Sequence, residues 1–284
     1  MKCGYLLQNE PQSRQGAKSS FRHIFFASPR PFGSFKKQSQ RTTVSFVVHR
    51  SKIFLSNFFK SHHVFFPNSI APGSGLNKKN EKAMKDYHDY VIRDGKYIGK
   101  FEEMYKTFDD PWMQSQQPNK YARAAGILHL KNNNISSLLE CGCGLGYYAE
   151  WIFRETGIIP KSIDISPSAI EKAKTIFPHL DFELADVTKE LLRFKNVECI
   201  FLTEIIWFIL PQLDEFFRTL KKEFAGKFLA VNQVFYKGTQ KYGTGYFTNL
   251  EEFIRYVPFP LVAWCEATQT TDTTVETSTL FRIE

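Results

Sequence analysis

The stretch LLECGCGLGYYAEW, residues 138–151, decides the fold of this chain. An apolar run ends in Glu140, three glycines then alternate with other residues, and an aromatic run compatible with a helix follows at once. Glycine permits positive φ angles and a close approach of the backbone to a ligand. A helix that begins here offers free N–H groups and the positive end of its dipole. The stretch therefore predicts a ligand-binding turn between a buried strand and a helix.

The spacing of the glycines distinguishes between two classes of ligand. Dinucleotide-binding turns follow the pattern G-x-G-x-x-G, in which the last glycine allows close packing of the helix. Here the pattern is G-x-G-x-G, and Tyr147 follows the third glycine. A carboxylate fixed at Glu140, just before the turn, suits a cationic ligand better than a pyrophosphate. The turn therefore argues against a dinucleotide.

Strands and helices alternate on both sides of this turn. Alternation of this kind predicts a parallel sheet covered by helices on both faces. Segments 260–268 and 274–283 are two consecutive strands by pattern, which predicts an antiparallel pair at the sheet edge. The expected strands lie near 136–140, 159–164, 181–185, 197–203 and 226–235, and the expected helices near 121–130, 147–156, 167–176, 212–224 and 249–256.

Two acids follow the next predicted strands. Asp164 ends the second strand, 18 residues after Gly146, where a carboxylate can accept both hydroxyls of a ribose. Asp186 follows the third strand, where it can accept a hydrogen bond from an adenine amino group. Each acid also has an ordinary interpretation: Glu140 or Asp164 as a capping residue, and Asp186 as a loop acid. In a doubly wound sheet, however, ligands bind beyond the carboxyl ends of the strands.

Taken in order, LLECGCGLG, SIDISPSAIEKAK, FELADV and ECIFLTEIIWFI make residues 120–284 resemble a class I S-adenosylmethionine-dependent methyltransferase. The resemblance implies an α/β fold: a Rossmann-like, seven-stranded, mostly parallel sheet with helices on both faces and an antiparallel last strand. It implies S-adenosylmethionine as the cofactor, with Asp164 at the ribose and Asp186 at the adenine. The residues implied at its methionine part are Glu140, Gly142, Gly144 and Gly146.

The fourth strand ends in Thr203 and Glu204. Base-modifying relatives carry Asn/Asp-Pro-Pro-Tyr at this point, and that motif is missing here. Glu204 is the acid best placed to face the transferred methyl group or to act as a base. Its alternative role is to order the cofactor loop.

The segment ahead of the core, GKFEEMYKTFDDPWMQ (residues 99–114), is dense in acids and aromatic residues. It is similar to small-molecule methyltransferases that act on amino sugars, including nodulation-type N-methyltransferases of chitooligosaccharides. That resemblance makes Asp109 and Asp110 further candidates for a base, and Tyr105 and Trp112 candidates for substrate contact. A Gly- and Tyr-containing loop after the fifth strand adds Tyr242 to the substrate candidates. The alternative is that segment 99–114 only packs on the sheet.

The positive charge is confined to the start of the chain. Residues 1–80 hold 13 Lys/Arg and a single acid, whereas the whole chain holds 37 Lys/Arg and 29 Asp/Glu. Three interpretations stay open for this part: translated sequence upstream of the real start, an organellar targeting segment, or a basic arm that contacts nucleic acid. The expected division is a basic, disordered or mistranslated extension at 1–83, a cap over the substrate at 84–118, and the methyltransferase domain at 119–284.

The five scattered cysteines suggest neither a disulfide framework nor a metal site. They favour a reducing compartment, the cytoplasm, or an organelle if residues 1–83 are a targeting segment. The apolar run 197–210 is too short and too acidic to span a membrane. Neither nucleic-acid binding nor an oligomeric state is predicted.

The expected function is methyl transfer from S-adenosylmethionine to an oxygen or nitrogen of a small-molecule acceptor, with a sugar or amino sugar as the leading class. Three alternatives remain open. One is an oxidoreductase with a nicotinamide cofactor, and another is a protein that binds S-adenosylmethionine without catalysis. The third is methylation of nucleic acid guided by the basic arm at the start of the chain.

Overall fold

The alternation of strands and helices predicted after residue 120 is present in the structure. The computed structural model describes residues 2–5, 88–93, 96–116 and 120–284. The strands are Lys2–Tyr5 (β1), Ile92–Arg93 (β2), Lys96–Tyr97 (β3), Leu138–Cys141 (β4), Lys161–Asp164 (β5), Asp181–Leu184 (β6), Cys199–Thr203 (β7), Phe228–Tyr236 (β8), Leu261–Ala267 (β9) and Thr274–Arg282 (β10). The helices are His88–Val91 (α1), Phe101–Thr107 (α2), Tyr121–Asn132 (α3), Tyr147–Thr156 (α4), Pro167–Ile176 (α5), Val187–Glu190 (α6), Leu213–Glu223 (α7) and Leu250–Tyr256 (α8).

The main sheet has the strand order β1-β9-β10-β8-β7-β4-β5-β6. Strands β8, β7, β4, β5 and β6 are parallel to one another. The last strand, β10, lies between β8 and β9 and is antiparallel to both. The predicted seven-stranded sheet with an antiparallel last strand is therefore confirmed for β4 to β10, and β1 adds a further antiparallel strand beside β9.

The central strands are buried on both faces, as parallel strands covered by helices must be. All four residues of β4 are buried, and so are the first four of β7. Ile200 and Leu202 pack into a cluster with the apolar sides of α7 and α8. Phe201, between them, packs on the other face with Leu130 of α3 and Ile152 of α4. Period-2 alternation across β7 thus supplies both layers of the core.

The ends of α4 and α5 follow local chemistry that the sequence contains. Ser166 accepts a hydrogen bond from Ala169 N, and Pro167 occupies the first helical position. This arrangement is favoured at a helix start. Helix α4 ends at Gly157, whose φ of 76° is left-handed and suits glycine. The predicted bounds 147–156 and 167–176 are therefore confirmed.

The cysteines of the glycine turn are packing residues. Cys141 and Cys143 are buried and carry free thiols, as does Cys199. Burial raises the pKa of the Cys141 and Cys143 thiols well above the usual value. Inert thiols in apolar surroundings are structural rather than reactive.

The pre-core segment, residues 88–116, lies over the start of α4 and α5. Met104 and Tyr105 of α2 are buried in a cluster with Leu145 and Ala169. Helix α5 also binds the carboxyl end of α2, because Lys172 Nζ donates to the carbonyls of Tyr105 and Phe108, each at 2.8 Å. The segment is therefore anchored to the two helices that begin beside the cavity described below.

Glu102 provides the polar contact that holds α2 to α5. Its carboxylate accepts from Ser166 Oγ at 2.7 Å, from Ser168 N at 3.0 Å and from Ser168 Oγ at 2.8 Å. Partial burial opposes the charge, yet these hydrogen bonds prevail and lower the pKa of Glu102 to about 2. The carboxylate also sits at the positive end of the α5 dipole.

We expect Glu102→Gln to lower the free energy of unfolding by about 1 kcal/mol at pH 7, since it removes charge-assisted hydrogen bonds that are partly screened by solvent. The pKa of Glu102 lies below its unfolded value of 4.5. Its contribution is therefore present above pH 4.5 and is lost as the pH falls toward 2. Denaturant unfolding at pH 7 and at pH 4 checks both parts. Glu103→Gln, on the exposed side of the same helix, is the matched control, and equal losses for both variants would contradict the assignment.

The start of the chain is described only at Lys2–Tyr5, which form β1. The chain divides into one unit of Met1–Glu10 with Lys82–Glu284 and another of Pro11–Glu81. The second unit lies outside the described residues, as does most of the predicted extension 1–83, so its three interpretations stay predictions. Within the described part of the chain, every helix is too short or too polar to cross a bilayer.

Candidate functional site

A cavity of about 580 Å³ opens at the carboxyl ends of the parallel strands β4 to β8. This is the place where a doubly wound sheet binds its ligands. The pre-core segment covers it with Tyr97, Phe101, Tyr105 and Trp112. A volume of this size is within the range of small-ligand pockets.

The glycine turn is fixed to the end of β5. Gly142 N and Cys143 N both donate to the carbonyl of Ile163, at 2.8 and 3.1 Å. Gly142 has a φ of 85° and lines the cavity. A Cβ there would lie 2.1 Å from Ile205 Cγ2, so no larger residue fits. The packing of Ile205 therefore requires glycine at this position, whether or not a ligand is bound.

Gly144 makes room for the pre-core segment. A Cβ on Gly144 would lie 2.7 Å from both Tyr105 OH and Gln114 Oε1. Gln114 Oε1 accepts a hydrogen bond from Leu145 N at 2.8 Å. Gly146 in turn makes room for the Phe182 ring, at 2.5 Å from the position of a Cβ. Neither Gly144 nor Gly146 is among the residues that line the cavity, and both permit packing that shapes the turn; their direct contact with the cofactor stays a prediction.

Glu140 lies under the turn, fully buried, and lines the cavity. One oxygen, Oε2, accepts from Ser162 Oγ at 2.7 Å. The other, Oε1, is buried and has no hydrogen-bond partner among the described residues. Burial raises the pKa of Glu140 to about 7, although Ser162 and Arg123 act in the opposite direction. A partly protonated acid with an unpartnered oxygen is suited to a cationic ligand, which would lower that pKa again.

Asp164 joins the glycine turn to α5 and lines the cavity. Its carboxylate accepts from Gly144 N and from Ser166 N, each at 2.9 Å. Burial is the largest influence and raises the pKa of Asp164, although backbone hydrogen bonds from Ser166, Gly144 and Ile165 lower it. A carboxylate has about four lone-pair positions, so acceptor capacity remains for a hydroxyl group.

Asp186 also lines the cavity, but its carboxylate is already bound by residues of the helix that follows, α6. Oδ1 accepts from Thr188 N at 3.0 Å and from Thr188 Oγ1 at 2.6 Å, and Oδ2 pairs with Lys189 Nζ at 2.7 Å. Burial opposes ionisation, yet the bonds from Lys189 and Thr188 hold the pKa of Asp186 below its usual value. The structure thus gives Asp186 the capping role of a loop acid as well as a place in the cavity wall, beside Ala185 and Val187.

Glu204 follows β7 and lines the opposite part of the cavity. Its φ of 63° is unusual for a residue with a side chain and indicates local strain, as often found at functional sites. Its carboxylate pairs with Lys120 Nζ at 3.4 Å and with Arg123 Nη2 at 3.5 Å. Burial would raise the pKa of Glu204, but these two cations lower it. Glu204 is therefore ionised and a weak base, so it is better suited to pair with a cation than to accept a proton.

Neither Asp109 nor Asp110 is among the residues that line the cavity. The Asp109 side chain is fully exposed, and it pairs with Lys172 at 3.8 Å. Asp110 accepts from Gln114 N and Ser115 N, each at 2.8 Å, and so closes the turn that follows α2. The geometry thus gives no support to either residue as a base.

The three aromatic candidates for substrate contact do line the cavity: Tyr105, Trp112 and Tyr242. Trp112 lies against Phe208, with ring centroids 6.3 Å apart. The Tyr242 hydroxyl is hydrogen-bonded to that of Tyr236. These aromatic side chains thus form part of the cavity wall, and their contact with a substrate stays a prediction.

Several lining residues escaped the sequence interpretation: Gln114, Lys120, Arg123 and Gln233. Lys120 and Arg123 stand three residues apart at the start of α3, a spacing that places both on one face of a helix. That spacing could have indicated a basic pair. No sequence signal separates Gln233 from its neighbours in a buried strand. Among the described residues, no three His, Cys, Asp or Glu side chains lie together as a metal site would require.

Comparison with known families identifies the domain. A family model described as a methyltransferase domain matches residues 139–223, from β4 through α7. This is a class I S-adenosylmethionine-dependent methyltransferase domain. S-adenosylmethionine is accordingly its cofactor, and the unpartnered oxygen of Glu140 and the remaining acceptor positions of Asp164 fit a ligand that is cationic at one end and a nucleoside at the other.

Matches among solved structures include three of low sequence identity. The N-methyltransferase NodS from Bradyrhizobium japonicum WM9, in complex with S-adenosyl-L-homocysteine, has a TM-score of 0.50 and 21% identity over 65% of this chain and 97% of that chain. TehB from Haemophilus influenzae has a TM-score of 0.45 and 14% identity over 62% and 66% of the two chains. The methyltransferase domain of bacterial CtHen1-CN has a TM-score of 0.45 and 15% identity over 57% and 99%. A search of curated protein sequences gave no significant match.

We expect the affinity of the methyltransferase domain for S-adenosylmethionine to fall as the pH drops below 7, by up to about tenfold per unit, because protonation of Glu140 removes the charge that faces a cation. Glu140→Gln should bind more weakly at pH 7.5 and lose this pH dependence. Calorimetric titration between pH 5.5 and 7.5 measures both. Parallel pH curves for the two proteins would contradict the assignment.

The same residue makes a prediction about stability. The pKa of Glu140 is raised from 4.5 to about 7, so its contribution to stability is complete below pH 4.5 and is lost as the pH rises through 7. Glu140→Gln should therefore gain stability relative to the parent protein as the pH rises from 5 to 8. Thermal melts across that range provide the measurement, and a constant difference would exclude this titration.

Glu204→Gln should destabilise the protein and weaken methyl transfer at least tenfold, because Arg123 is almost completely buried and would lose its carboxylate partner. Asp109→Asn is the matched control and should change neither property. Melting temperatures and turnover with labelled cofactor report the two effects. A loss in the Asp109 variant equal to that in the Glu204 variant would restore Asp109 to the site.

Proposed function

We propose that this chain transfers a methyl group from S-adenosylmethionine to an oxygen or nitrogen of a small-molecule acceptor, with a sugar or amino sugar as the leading class. The observation that carries the proposal is the aromatic and charged lining of the cavity beyond β7 and β8. Trp112, Trp207 and Tyr242 present ring faces there, and Glu204 lies among them with its cationic partners. Ring faces stack on sugar rings, and charged side chains bind hydroxyl and ammonium groups.

In this proposal one half of the cavity binds the cofactor and the other half binds the acceptor. Glu140 lies in β4, Asp164 ends β5 and Asp186 follows β6, on one side of the sheet's centre. They would hold the methionine part, the ribose and the adenine of the cofactor. Glu204 follows β7 and Gln233 lies in β8, on the other side, and both would face the acceptor.

The cofactor supplies a methyl group that is already activated by a sulfonium. The protein's contribution is therefore alignment of the acceptor and exclusion of water. In this proposal the pre-core segment covers the cavity, which agrees with the cap predicted at residues 84–118. Because Glu204 is ionised and paired, an amine acceptor would enter in its deprotonated form and release its remaining proton to solvent.

The rival functions require different properties of the cavity. A nicotinamide-dependent oxidoreductase is disfavoured by the methyltransferase family match and by the spacing of the glycines. A protein that binds S-adenosylmethionine without catalysis would keep the cofactor half of the cavity and need no acceptor half. Amines belong among the acceptors to be tested, since a solved structure of this fold is named an N-methyltransferase.

We expect calorimetry to detect binding of S-adenosylmethionine and no binding of NADH. Asp164→Ala should lower the affinity for the cofactor at least tenfold, because the ribose loses its hydrogen-bond acceptor. Asp109→Ala should not change that affinity. Incubation with methyl-labelled cofactor and a panel of sugars, amino sugars and amines should label at least one acceptor. Binding without transfer to any member would favour the non-catalytic alternative, and binding of NADH alone would overturn the proposal.

A further inference from the structure

Gln233 is buried in the wall of the cavity with its side-chain amide unpartnered. It is 1% exposed, and neither Oε1 nor Nε2 has a hydrogen-bond partner among the described residues. Its backbone, by contrast, is fully engaged with β10, and its carbonyl accepts from Thr277 Oγ1 at 2.9 Å. A buried amide without partners is destabilising, and such a group calls for a specific explanation.

The two other buried glutamines of the described residues are satisfied. Gln240 accepts from Tyr236 N at 3.1 Å and donates to the carbonyl of Tyr242 at 3.2 Å. Gln114 accepts from Leu145 N and donates to the carbonyl of Cys143. The fold therefore satisfies a buried glutamine where the side chain serves the structure, and Gln233 differs from both.

The position of Gln233 assigns it to the acceptor half of the cavity. Thr203 of β7 is paired with Asn232 of β8, and Glu204 N donates to the Asn232 carbonyl at 3.0 Å. Gln233 thus follows directly after the point where the two strands end their pairing. On the sheet, β7 and β4 separate β8 from β5, which carries Asp164.

The surroundings of Gln233 leave its amide for a ligand. Trp207 Nε1, an indole donor in the cavity wall, donates to the carbonyl of Val234 at 3.0 Å. The hydroxyls of Tyr236 and Tyr242, which line the same cavity, are bonded to each other. These aromatic residues of the wall therefore already use their polar atoms.

We propose that Gln233 is the residue that determines acceptor specificity, and that its amide binds a neutral group of the acceptor that both donates and accepts a hydrogen bond. This inference rests on the proposed methyl transfer to a small molecule. A carboxylate would leave Oε1 without a donor, and an ammonium would leave Nε2 without an acceptor. A hydroxyl or an acylamino group satisfies both atoms, and a charge would be costly at so buried a position.

The first arm of the test is Gln233→Leu, which replaces an unpartnered amide by an apolar side chain of similar size. We expect a higher melting temperature than in the parent protein, since the buried polar group is removed. The matched control is Gln240→Leu, which removes two hydrogen bonds and should lower the melting temperature. A fall in both variants would show that Gln233 is structural and would overturn the proposal.

The second arm measures acceptor binding with three probes in the presence of S-adenosyl-L-homocysteine: glucosamine, N-acetylglucosamine and cyclohexylamine. Ligand-detected nuclear magnetic resonance gives the dissociation constants. At least one of the sugars should bind the parent protein. Gln233→Leu should lower the affinity for that sugar at least tenfold, because a ligand group loses much binding energy when its hydrogen-bond partner is removed. Cyclohexylamine, which lacks a neutral donor–acceptor group, should lose no affinity. The two sugars distinguish a hydroxyl from an acylamino partner.

Cofactor affinity separates this inference from the proposed function. Gln233→Leu should bind S-adenosylmethionine as the parent protein does, within twofold. Sugar binding that depends on Gln233 without any methyl transfer would support the inference while the proposed function fails. Equal sugar affinity in both proteins, or no sugar bound by the parent protein, would overturn the inference whatever the activity.

Discussion

The carbonyl of Ile163 accepts two hydrogen bonds from the glycine turn, and the site depends on that junction. Gly142 N and Cys143 N both point at this one oxygen, while Gly144 N binds the carboxylate of the next residue, Asp164. Three successive N–H groups are thus used to tie the turn after β4 to the end of β5. The positive φ angles at Gly142 and Gly144 make this possible, because a Cβ at either residue would collide with a neighbour. Glu140 and Asp164 are consequently held in a fixed relation before any ligand binds.

The pre-core segment completes the same junction. The start of a helix leaves N–H groups without partners, and a sheet with two adjacent helix starts leaves two such sets. Gln114 binds Leu145 N at the start of α4, and Glu102 binds Ser168 N at the start of α5. The segment that covers the cavity is therefore bonded to the two elements that shape its floor. Movement of the cover and order in the glycine turn must then be coupled, because the same hydrogen bonds serve both.

The elements of the sheet could be predicted from the sequence because their signals are local and repeated. Helices α4 and α5 matched their predicted bounds, since Gly157 and the Ser166–Pro167 pair mark a helix end and a helix start by short-range chemistry. The antiparallel last strand followed from the family resemblance. Composition near residue 110 suggested acids at the cavity, but Asp109 is exposed and Asp110 closes a turn, and composition alone does not determine such geometry.

Other residues of the site could not have been found from the sequence for a related reason. The β8 strand is buried along most of its length, so alternation does not tell which side chain faces a cavity and which faces the core. Gln233 is distinguished only by the hydrogen bonds it lacks, and those depend on long-range packing. The strain at Glu204 is equally invisible in the sequence, since nothing in FLTEIIWFI indicates a positive φ at its fourth residue.

The environments of two glutamates explain how one cavity can hold a cation and align an acceptor. Glu140 is buried with a serine as its hydrogen-bond donor, and burial raises its pKa to about 7. Glu204 is flanked by Lys120 and Arg123, which lower its pKa. Acids whose environments push their pKa values apart carry out different tasks. A cation that faces Glu140 would favour its charged form, whereas Glu204 is ionised through its pairing with Lys120 and Arg123 at the start of α3. Neither is a strong proton acceptor on the acceptor side, so alignment of an already nucleophilic group is the contribution that these side chains can make.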